Sequence, residues 1–255
     1  MIPKTIHYCW FSGDAYPAKI RKCIDSWKRH LPDYQFKLWT LDSFDLSAAP
    51  RYVQEAVKHR KWAFAADYVR MYALYTEGGI YLDSDVLVLK PFDDLLDHNF
   101  FSAIEFHPGQ ADKDGAWQML DADGHRTKPG FVSGIMIQAA VIGAEKGCPF
   151  VREVLDWYAT QSFVSADGEL ATAVVSPQIY AYVAERRGFV YKDIDQSLNG
   201  DVMIYRSAVI AGNRHEVTPY SYAIHYCAHT WHPGPWEKIK LWYRRTFILR
   251  KKKHD

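Results

Sequence analysis

The first forty residues alternate between short apolar runs and one amphipathic segment. Residues 5–11 are apolar and rich in β-branched and aromatic side chains, and residues 34–40 alternate apolar and polar positions. Both patterns are typical of strands. Between them, residues 17–30 place apolar side chains at helical spacing and stop before Pro32, which predicts a helix. This β-α-β opening predicts a parallel sheet.

The same alternation continues through the centre of the chain. Residues 51–61 and 63–77 predict two helices, the second ending at Gly78-Gly79, and residues 80–89 predict one strand around Asp83-Ser84-Asp85. Further strands are expected at residues 100–105, 131–138, 202–205 and 222–226, a loop at 107–128, and helices at 149–161 and 168–187, the last divided in two by Pro177.

Composition indicates an ordinary globular protein. With 255 residues, 48% hydrophobic and 24% charged, the chain suffices for one large α/β domain. A net charge of +1 does not favour nucleic acid as a partner. The four cysteines lie far apart without a C-x-x-C pair, which favours a reducing compartment over a disulfide framework. With no signal-like or membrane-spanning apolar stretch, the expected location is cytoplasmic.

Asp83 and Asp85 are candidates for metal chemistry. They lie two positions apart, so on a regular strand their side chains point to the same side. Two like charges on an apolar strand are costly without a cation between them. Hard divalent ions such as Mn²⁺ or Mg²⁺ prefer such oxygen ligands. The tripeptide alone also fits a pair of solvated carboxylates at a strand end.

Asp67 and Arg70 form a second candidate feature. They lie three positions apart and therefore share one face of the predicted helix 63–77. An exposed ion pair there would contribute little to stability. The rest of this helix is mostly apolar, however, which predicts that the pair is buried and has a functional reason to be there.

The order of these features resembles the D-x-D region of glycosyltransferases with the GT-A fold. Family 32, with the yeast initiating α-1,6-mannosyltransferases and bacterial capsular-polysaccharide transferases, is the most similar group. The resemblance covers roughly the first 95 residues, and it implies a GT-A (Rossmann-like) α/β domain over residues 1–236 with a mostly parallel central sheet flanked by helices. It is carried by Ala66-Asp67-x-x-Arg70, Leu74, Gly78-Gly79-Ile80-Tyr81-Leu82-Asp83-x-Asp85, Ile2 to Trp10, and Ser26-Trp27-Lys28 followed by Pro32-Asp33-Tyr34.

The family resemblance implies a role for each matching residue. Asp85 would ligate a metal that bridges the donor diphosphate, and Asp83 would contact the ribose, or the metal through water. Asp67 and Arg70 would hold hydroxyls of the donor sugar. Trp10 resembles the ring that stacks on the nucleotide base, although a core tryptophan at a strand end is the alternative.

A late histidine-rich segment resembles the family's His-x5-Trp element. Its sequence runs from His225 to Trp231. The resemblance implies that His225, or secondly His229, is the third metal ligand and that Trp231 covers the diphosphate. Thr230 stands where the family often has serine, which retains a hydroxyl. A packed histidine or a zinc site with His232 are the alternatives.

The implied reaction is a Mn²⁺- or Mg²⁺-dependent sugar transfer. The donor would be a UDP- or GDP-sugar, and the acceptor a hydroxyl of a glycan or a lipid-linked sugar. The resemblance further implies retention of configuration and a role in bacterial surface polysaccharide or glycan synthesis. Two alternatives stay open: a haloacid-dehalogenase-type phosphatase with Asp83 as nucleophile and Asp85 as acid/base, and a non-catalytic sugar-binding module.

The end of the chain forms a separate basic segment. Residues 237–255 interleave lysine and arginine with apolar and aromatic side chains. This pattern is typical of peripheral contact with an anionic membrane surface, here the inner face. A solvated C-terminal helix is the alternative.

Overall fold

The computed structural model describes residues 1–227. This part of the chain folds into helices and strands that alternate along the sequence. The helices are α1 (Ala18–His30), α2 (Arg51–Lys58), α3 (Trp62–Glu77), α4 (Pro108–Lys113), α5 (Pro149–Ala159) and α6 (Ser176–Ala184). The strands are β1 (Thr5–Cys9), β2 (Gln35–Trp39), β3 (Gly79–Leu82), β4 (Val86–Val88), β5 (Phe100–Phe106), β6 (Ile135–Ile137), β7 (Val141–Ala144), β8 (Gln196–Leu198), β9 (Val202–Tyr205), β10 (Ile210–Ala211) and β11 (Ala223–His225).

The strands form one large sheet and one small sheet. The large sheet has the order β2-β1-β3-β7-β5-β9-β8, with β6 paired to β5, and the small sheet has the order β10-β11-β4. β1 pairs in parallel with β2 and β3, and β5 with β9, whereas β7 is antiparallel to both β3 and β5. It follows that β1, β2, β3, β5 and β9 run in one direction. Their carboxyl ends meet at one edge of the sheet, where open α/β sheets bind ligands.

The prediction of one continuous strand over residues 80–89 is wrong. The structure divides it into β3, in the large sheet, and β4, in the small sheet. Asp83-Ser84-Asp85 forms a turn between them, closed by the Val86 amide donating to the Asp83 carbonyl at 3.0 Å. Aspartate and serine favour turns, and charged side chains are not accommodated in a buried ladder. The two aspartates therefore lie in the turn that connects the large sheet to the small sheet.

Three further points of the sequence analysis require correction. The predicted loop 107–128 contains α4 and a short 3₁₀ helix. The predicted helical piece 168–175 is absent, and Pro177 lies in the first turn of α6 instead of dividing a longer helix. Proline suits a first helical turn because its missing N–H would have no partner there. Strand β7 was also missed, because its apolar run follows the predicted strand 131–138 without a periodic signal of its own.

Helix α1 fixes the start of β4. Trp27 and Ser26 lie on its buried face. The Trp27 indole donates to the Val86 carbonyl at 2.7 Å, and the Ser26 hydroxyl accepts from the Val88 amide at 2.9 Å. Both bonds satisfy buried backbone groups directly after the aspartate turn.

Helix α3 ends where the sequence predicts. Gly78 and Gly79 have φ values of +71° and +120°, which glycine adopts at low cost. A Cβ on Gly79 would lie 2.6 Å from the Thr5 carbonyl oxygen of the neighbouring strand. The close approach keeps β3 against β1 and so fixes the position of the aspartate turn.

Gly143 gives a test of the sheet packing. It pairs with Ile80 on one side and Phe101 on the other, and an added Cβ would lie 2.0 Å from the buried Phe101 ring. Gly143→Ala is expected to lower the free energy of unfolding by about 1–3 kcal/mol, since overpacking forces side chains off their rotamers. Urea denaturation measures this. Gly109→Ala in α4, where nothing lies within 4 Å, is the control and should lose no stability; equal losses would contradict the prediction.

The cysteines are free thiols in different parts of the fold. Cys9, Cys23 and Cys148 are buried, and burial raises the pKa of Cys9 to about 12 and that of Cys23 to about 11. Cys227 is partly exposed. Within residues 1–227, the helices lack the combined length and apolar character needed to cross a membrane.

Candidate active site

The aspartate turn lies at the carboxyl edge of the large sheet. Its backbone is held on two sides. The Asp83 amide donates to the Ala140 carbonyl at 2.9 Å, and the Tyr226 amide donates to the Asp85 carbonyl at 3.3 Å. The turn is therefore anchored to the segment before β7 and to the end of β11.

The structure brings His225 to the two aspartates. β11 runs antiparallel to β4 and places His225 opposite Val86. The His225 Nε2 lies 3.5 Å from Asp85 Oδ1 and 4.0 Å from Asp83 Oδ2, and one ligand atom from each residue fits within 4.8 Å of the others. These are the three residues that the family resemblance proposes as metal ligands.

This donor set fits a divalent cation. Two carboxylates and one imidazole suit Mn²⁺, and the small separation of the ligand atoms allows one ion to contact all three. Burial lowers the pKa of His225, but Asp85 and Cys227 together raise it by more than burial lowers it. The net pKa therefore lies well above its usual value. The carboxylates thus favour a positive charge at this point, and a metal ion would supply one.

Arg70 links the aspartate turn to α3. Its Nη2 lies 3.0 Å from Asp67 Oδ1 and 3.3 Å from Asp83 Oδ1, and its Nη1 donates to the Ala139 carbonyl at 2.7 Å. The guanidinium also lies 4.8 Å from the centre of the Tyr81 ring. Arg70 is 4% exposed and Asp67 6%, so the predicted burial of this pair is confirmed.

The two carboxylate oxygens of Asp83 have different contacts. Oδ1 accepts from Arg70 and from the Tyr81 hydroxyl at 3.0 Å. Oδ2 is the oxygen nearest His225. Arg70 and Tyr81 therefore hold the side chain so that its second oxygen faces the candidate metal position.

Asp67 has partners that the sequence analysis did not identify. The Ser176 hydroxyl donates to Asp67 Oδ1 at 2.8 Å, and the Tyr180 hydroxyl donates to its carbonyl at 3.4 Å. Burial raises the pKa of Asp67 to about 6, against the opposing effects of Arg70 and Ser176. Both partners come from α6, more than 100 residues away, so no local pattern indicates them. A contact of Asp67 with a donor hydroxyl stays a prediction.

Trp10 lies at the carboxyl end of β1. It is partly exposed, its indole donates to the Asp14 carbonyl at 2.7 Å, and its ring meets Tyr16 edge-on at 4.9 Å. The alternative of a core tryptophan is therefore wrong. Stacking on a nucleotide base stays a prediction.

Several predicted residues lie outside the described part of the chain. They are His229, Thr230, Trp231, His232 and the basic segment 237–255. The boundary at residue 236, the cover over the diphosphate and the membrane contact stay predictions.

The part of the sequence that contains the aspartate turn is similar to a known protein family. Residues 17–102 match the family model of the glycosyltransferase sugar-binding region containing a DXD motif. This part of the chain is therefore similar to the DXD-containing sugar-binding region of glycosyltransferases. The match spans α1, α3 and the aspartate turn, and it agrees with the extent of the resemblance found in the sequence. It favours the glycosyltransferase interpretation over the phosphatase one. The predicted α/β class with a mostly parallel central sheet is confirmed.

Two fungal mannosyltransferases are among the similar proteins. The inositol phosphoceramide mannosyltransferase 3 of Schizosaccharomyces pombe is 31% identical over 60% of this chain and 36% of its own length. The initiation-specific α-1,6-mannosyltransferase of Saccharomyces cerevisiae is 29% identical over 52% of this chain and 31% of its own length. The chain thus spans about a third of these relatives. Mouse xyloside xylosyltransferase 1 is a structural neighbour with a TM-score of 0.49 and 11% identity over 91% of this chain and 98% of that chain.

Proposed function

We propose that the chain transfers a sugar from a nucleotide-diphosphate sugar to an acceptor hydroxyl. A divalent cation, Mn²⁺ or Mg²⁺, would be held by Asp83, Asp85 and His225. The observation that carries this proposal is the convergence of these three ligand groups at the carboxyl edge of the sheet. The match of residues 17–102 to the glycosyltransferase family model supports the donor class.

The difficult step is the departure of the diphosphate. Negative charge grows on its oxygens as the bond to the sugar breaks. When bound, the cation would neutralise this charge. Asp85 and His225 define the position of the charge, and Arg70 with Tyr81 fixes Asp83 beside it. Because these groups are oriented before the donor arrives, little reorganisation is needed during the reaction.

The finer proposals rest on the family resemblance. Retention of configuration is inferred, with departure on the front face and the diphosphate accepting the proton of the acceptor hydroxyl. An inverted product anomer would contradict it. The names of the fungal relatives put mannose first among the sugars to be transferred. A role in bacterial surface polysaccharide synthesis at the cytoplasmic face of a membrane rests on the sequence alone.

A donor screen tests the proposal. Hydrolysis of UDP- and GDP-sugars is measured with Mn²⁺, with Mg²⁺ and after chelation. One donor is expected to be hydrolysed, with a rate that falls about 100-fold on chelation and returns with Mn²⁺. Hydrolysis that survives complete chelation would contradict the metal site. Activity on simple phosphomonoesters, without any on nucleotide sugars, would favour the phosphatase.

A further inference from the structure

A thiol lies against the histidine of the metal cluster. The Sγ of Cys227 lies 3.4 Å from the Nδ1 of His225. The other ring nitrogen, Nε2, faces Asp85 Oδ1 at 3.5 Å and Asp83 Oδ2 at 4.0 Å. The imidazole, which is 14% exposed, therefore has a partner at each nitrogen, with carboxylates on one side and sulfur on the other.

The backbone of Cys227 has an unusual conformation. Its φ of +42° lies in the left-handed region, which within residues 1–227 only two other non-glycine residues, Arg60 and Asn199, share. Apart from glycine, the types enriched in this region are asparagine, aspartate and histidine. Such conformations persist where the surrounding structure requires them, and they cluster at functional sites. The bend at Cys227 brings its thiol back to a side chain two residues earlier, which is a reason for the strain to be kept.

The residue between the thiol and the histidine is held firmly. The Tyr226 amide donates to the Asp85 carbonyl at 3.3 Å, and its hydroxyl accepts from Arg214 Nε at 3.0 Å. The Nζ of Lys19 lies 4.6 Å from the centre of its ring. These contacts come from the aspartate turn, from a 3₁₀ helix and from α1. The backbone on both sides of Tyr226 is therefore held from three directions, which keeps the thiol and the imidazole in contact.

The chemistry of the imidazole assigns the direction of this contact. A neutral imidazole that offers the lone pair of Nε2 to a cation carries its proton on Nδ1. The Nδ1–H of His225 then donates, and the sulfur of Cys227 accepts. A hydrogen bond at the nitrogen that does not bind the metal fixes the tautomer and the orientation of the ring. Among the described residues, the ligand atoms that converge are those of Asp83, Asp85 and His225, so the thiol lies outside the ligand set.

We propose that Cys227 is a positioning residue of the metal site, whose sulfur accepts from His225 Nδ1 and so presents Nε2 to a cation at the aspartate turn. The assignment rests on the proposed function, because it gives the thiol a part in holding the proposed cation. Cys227 occupies one of the unspecified positions of the His-x5-Trp element, so the family resemblance alone assigns it no role.

Calorimetric titration of the full chain with Mn²⁺ tests the proposal. Cys227→Ala is expected to weaken Mn²⁺ binding by about 10-fold, since loss of a group that orients a metal ligand typically costs about 10–100-fold in affinity. Cys227→Ser keeps an acceptor at this position and should recover most of the affinity. The melting temperature of metal-free Cys227→Ala, followed by circular dichroism, should match that of the wild type, so that weaker binding does not reflect unfolding.

The matched control is Cys148→Ala. Cys148 follows β7, which is antiparallel to β3, and therefore lies toward the edge of the sheet opposite the aspartate turn. The control loses the same thiol group and should bind Mn²⁺ as the wild type does.

NMR of the metal-free chain, labelled with ¹⁵N at histidine, reads the contact itself. The Nδ1–H resonance of His225 should be visible in the wild type and in Cys227→Ser, because a hydrogen-bonded ring proton exchanges slowly with water. It should be lost in Cys227→Ala. A role of the thiol in stability alone would not produce this pattern.

Four results would overturn the proposal. They are equal Mn²⁺ affinity of Cys227→Ala and wild type, no recovery of affinity in Cys227→Ser, and absence of the Nδ1–H resonance from the wild type. The fourth is a thiolate charge-transfer band with Co²⁺ in the wild type that Cys227→Ser lacks, which would make the sulfur a metal ligand. Failure of the proposed function is distinguishable, because the wild type itself would then bind no Mn²⁺. That result would contradict the metal site and this inference together, whereas the other four contradict the inference alone.

Discussion

Replacing Asp85 with asparagine is expected to lower donor hydrolysis by about 10²–10³-fold and to abolish measurable Mn²⁺ binding. The substitution keeps the shape of the side chain but removes the charge that faces His225 Nε2 at 3.5 Å. The Asp85 carbonyl still accepts from the Tyr226 amide, so the turn should stay folded. Hydrolysis of the nucleotide sugar and calorimetric titration with Mn²⁺ measure the two effects.

The control for this substitution is Asp97→Asn. Asp97 is exposed and lies near the amino end of β5, away from the aspartate turn. It removes the same charge from the chain, so it should leave both Mn²⁺ binding and hydrolysis unchanged. If Asp85→Asn bound Mn²⁺ as tightly as this control does, the ion would not be held by the aspartate turn.

The sequence predicted which residues form the metal cluster, but it did not predict how these residues are arranged. Asp83 and Asp85 were expected on one face of a continuous strand, whereas they converge from a turn between two sheets. Spacing in sequence cannot distinguish these arrangements, because strand pairing decides where a ladder ends. The burial of Asp67 and Arg70 was predictable from the apolar character of α3. That Arg70 also binds Asp83 follows only from the packing of α3 on β3.

Contacts between residues that lie far apart in the sequence could not be predicted from the sequence. His225 was proposed through the family resemblance, and only the pairing of β11 with β4 shows how it reaches the aspartates. Ser176 and Tyr180 reach Asp67 from α6 without any local signal.

Arg70→Met should give the largest loss of stability among single substitutions in this cluster. Methionine keeps much of the volume but leaves the Asp67 carboxylate buried without its cation, and Asp83 without one of its two Oδ1 partners. Removing one member of a buried ion pair costs about 3–5 kcal/mol. For a chain of this size, that corresponds to a fall in Tm of about 6–20 °C. Differential scanning calorimetry measures it.

The pH dependence of this loss separates buried charge from lost packing. Burial already raises the pKa of Asp67 to about 6 in the presence of Arg70, whose charge lowers it, so removing Arg70 raises it further. The folded state then binds a proton more tightly than the unfolded state, and stability falls as pH rises through the folded pKa. The deficit of Arg70→Met should therefore be smaller at pH 5 than at pH 8, and Asp67→Asn in the same chain should reduce it at pH 8. Arg206→Met, which breaks an exposed pair with Asp195, is the control and should cost about 1 kcal/mol or less at either pH. A deficit in Arg70→Met that does not change with pH would mean that packing, and not the charge of Asp67, limits the stability of the cluster.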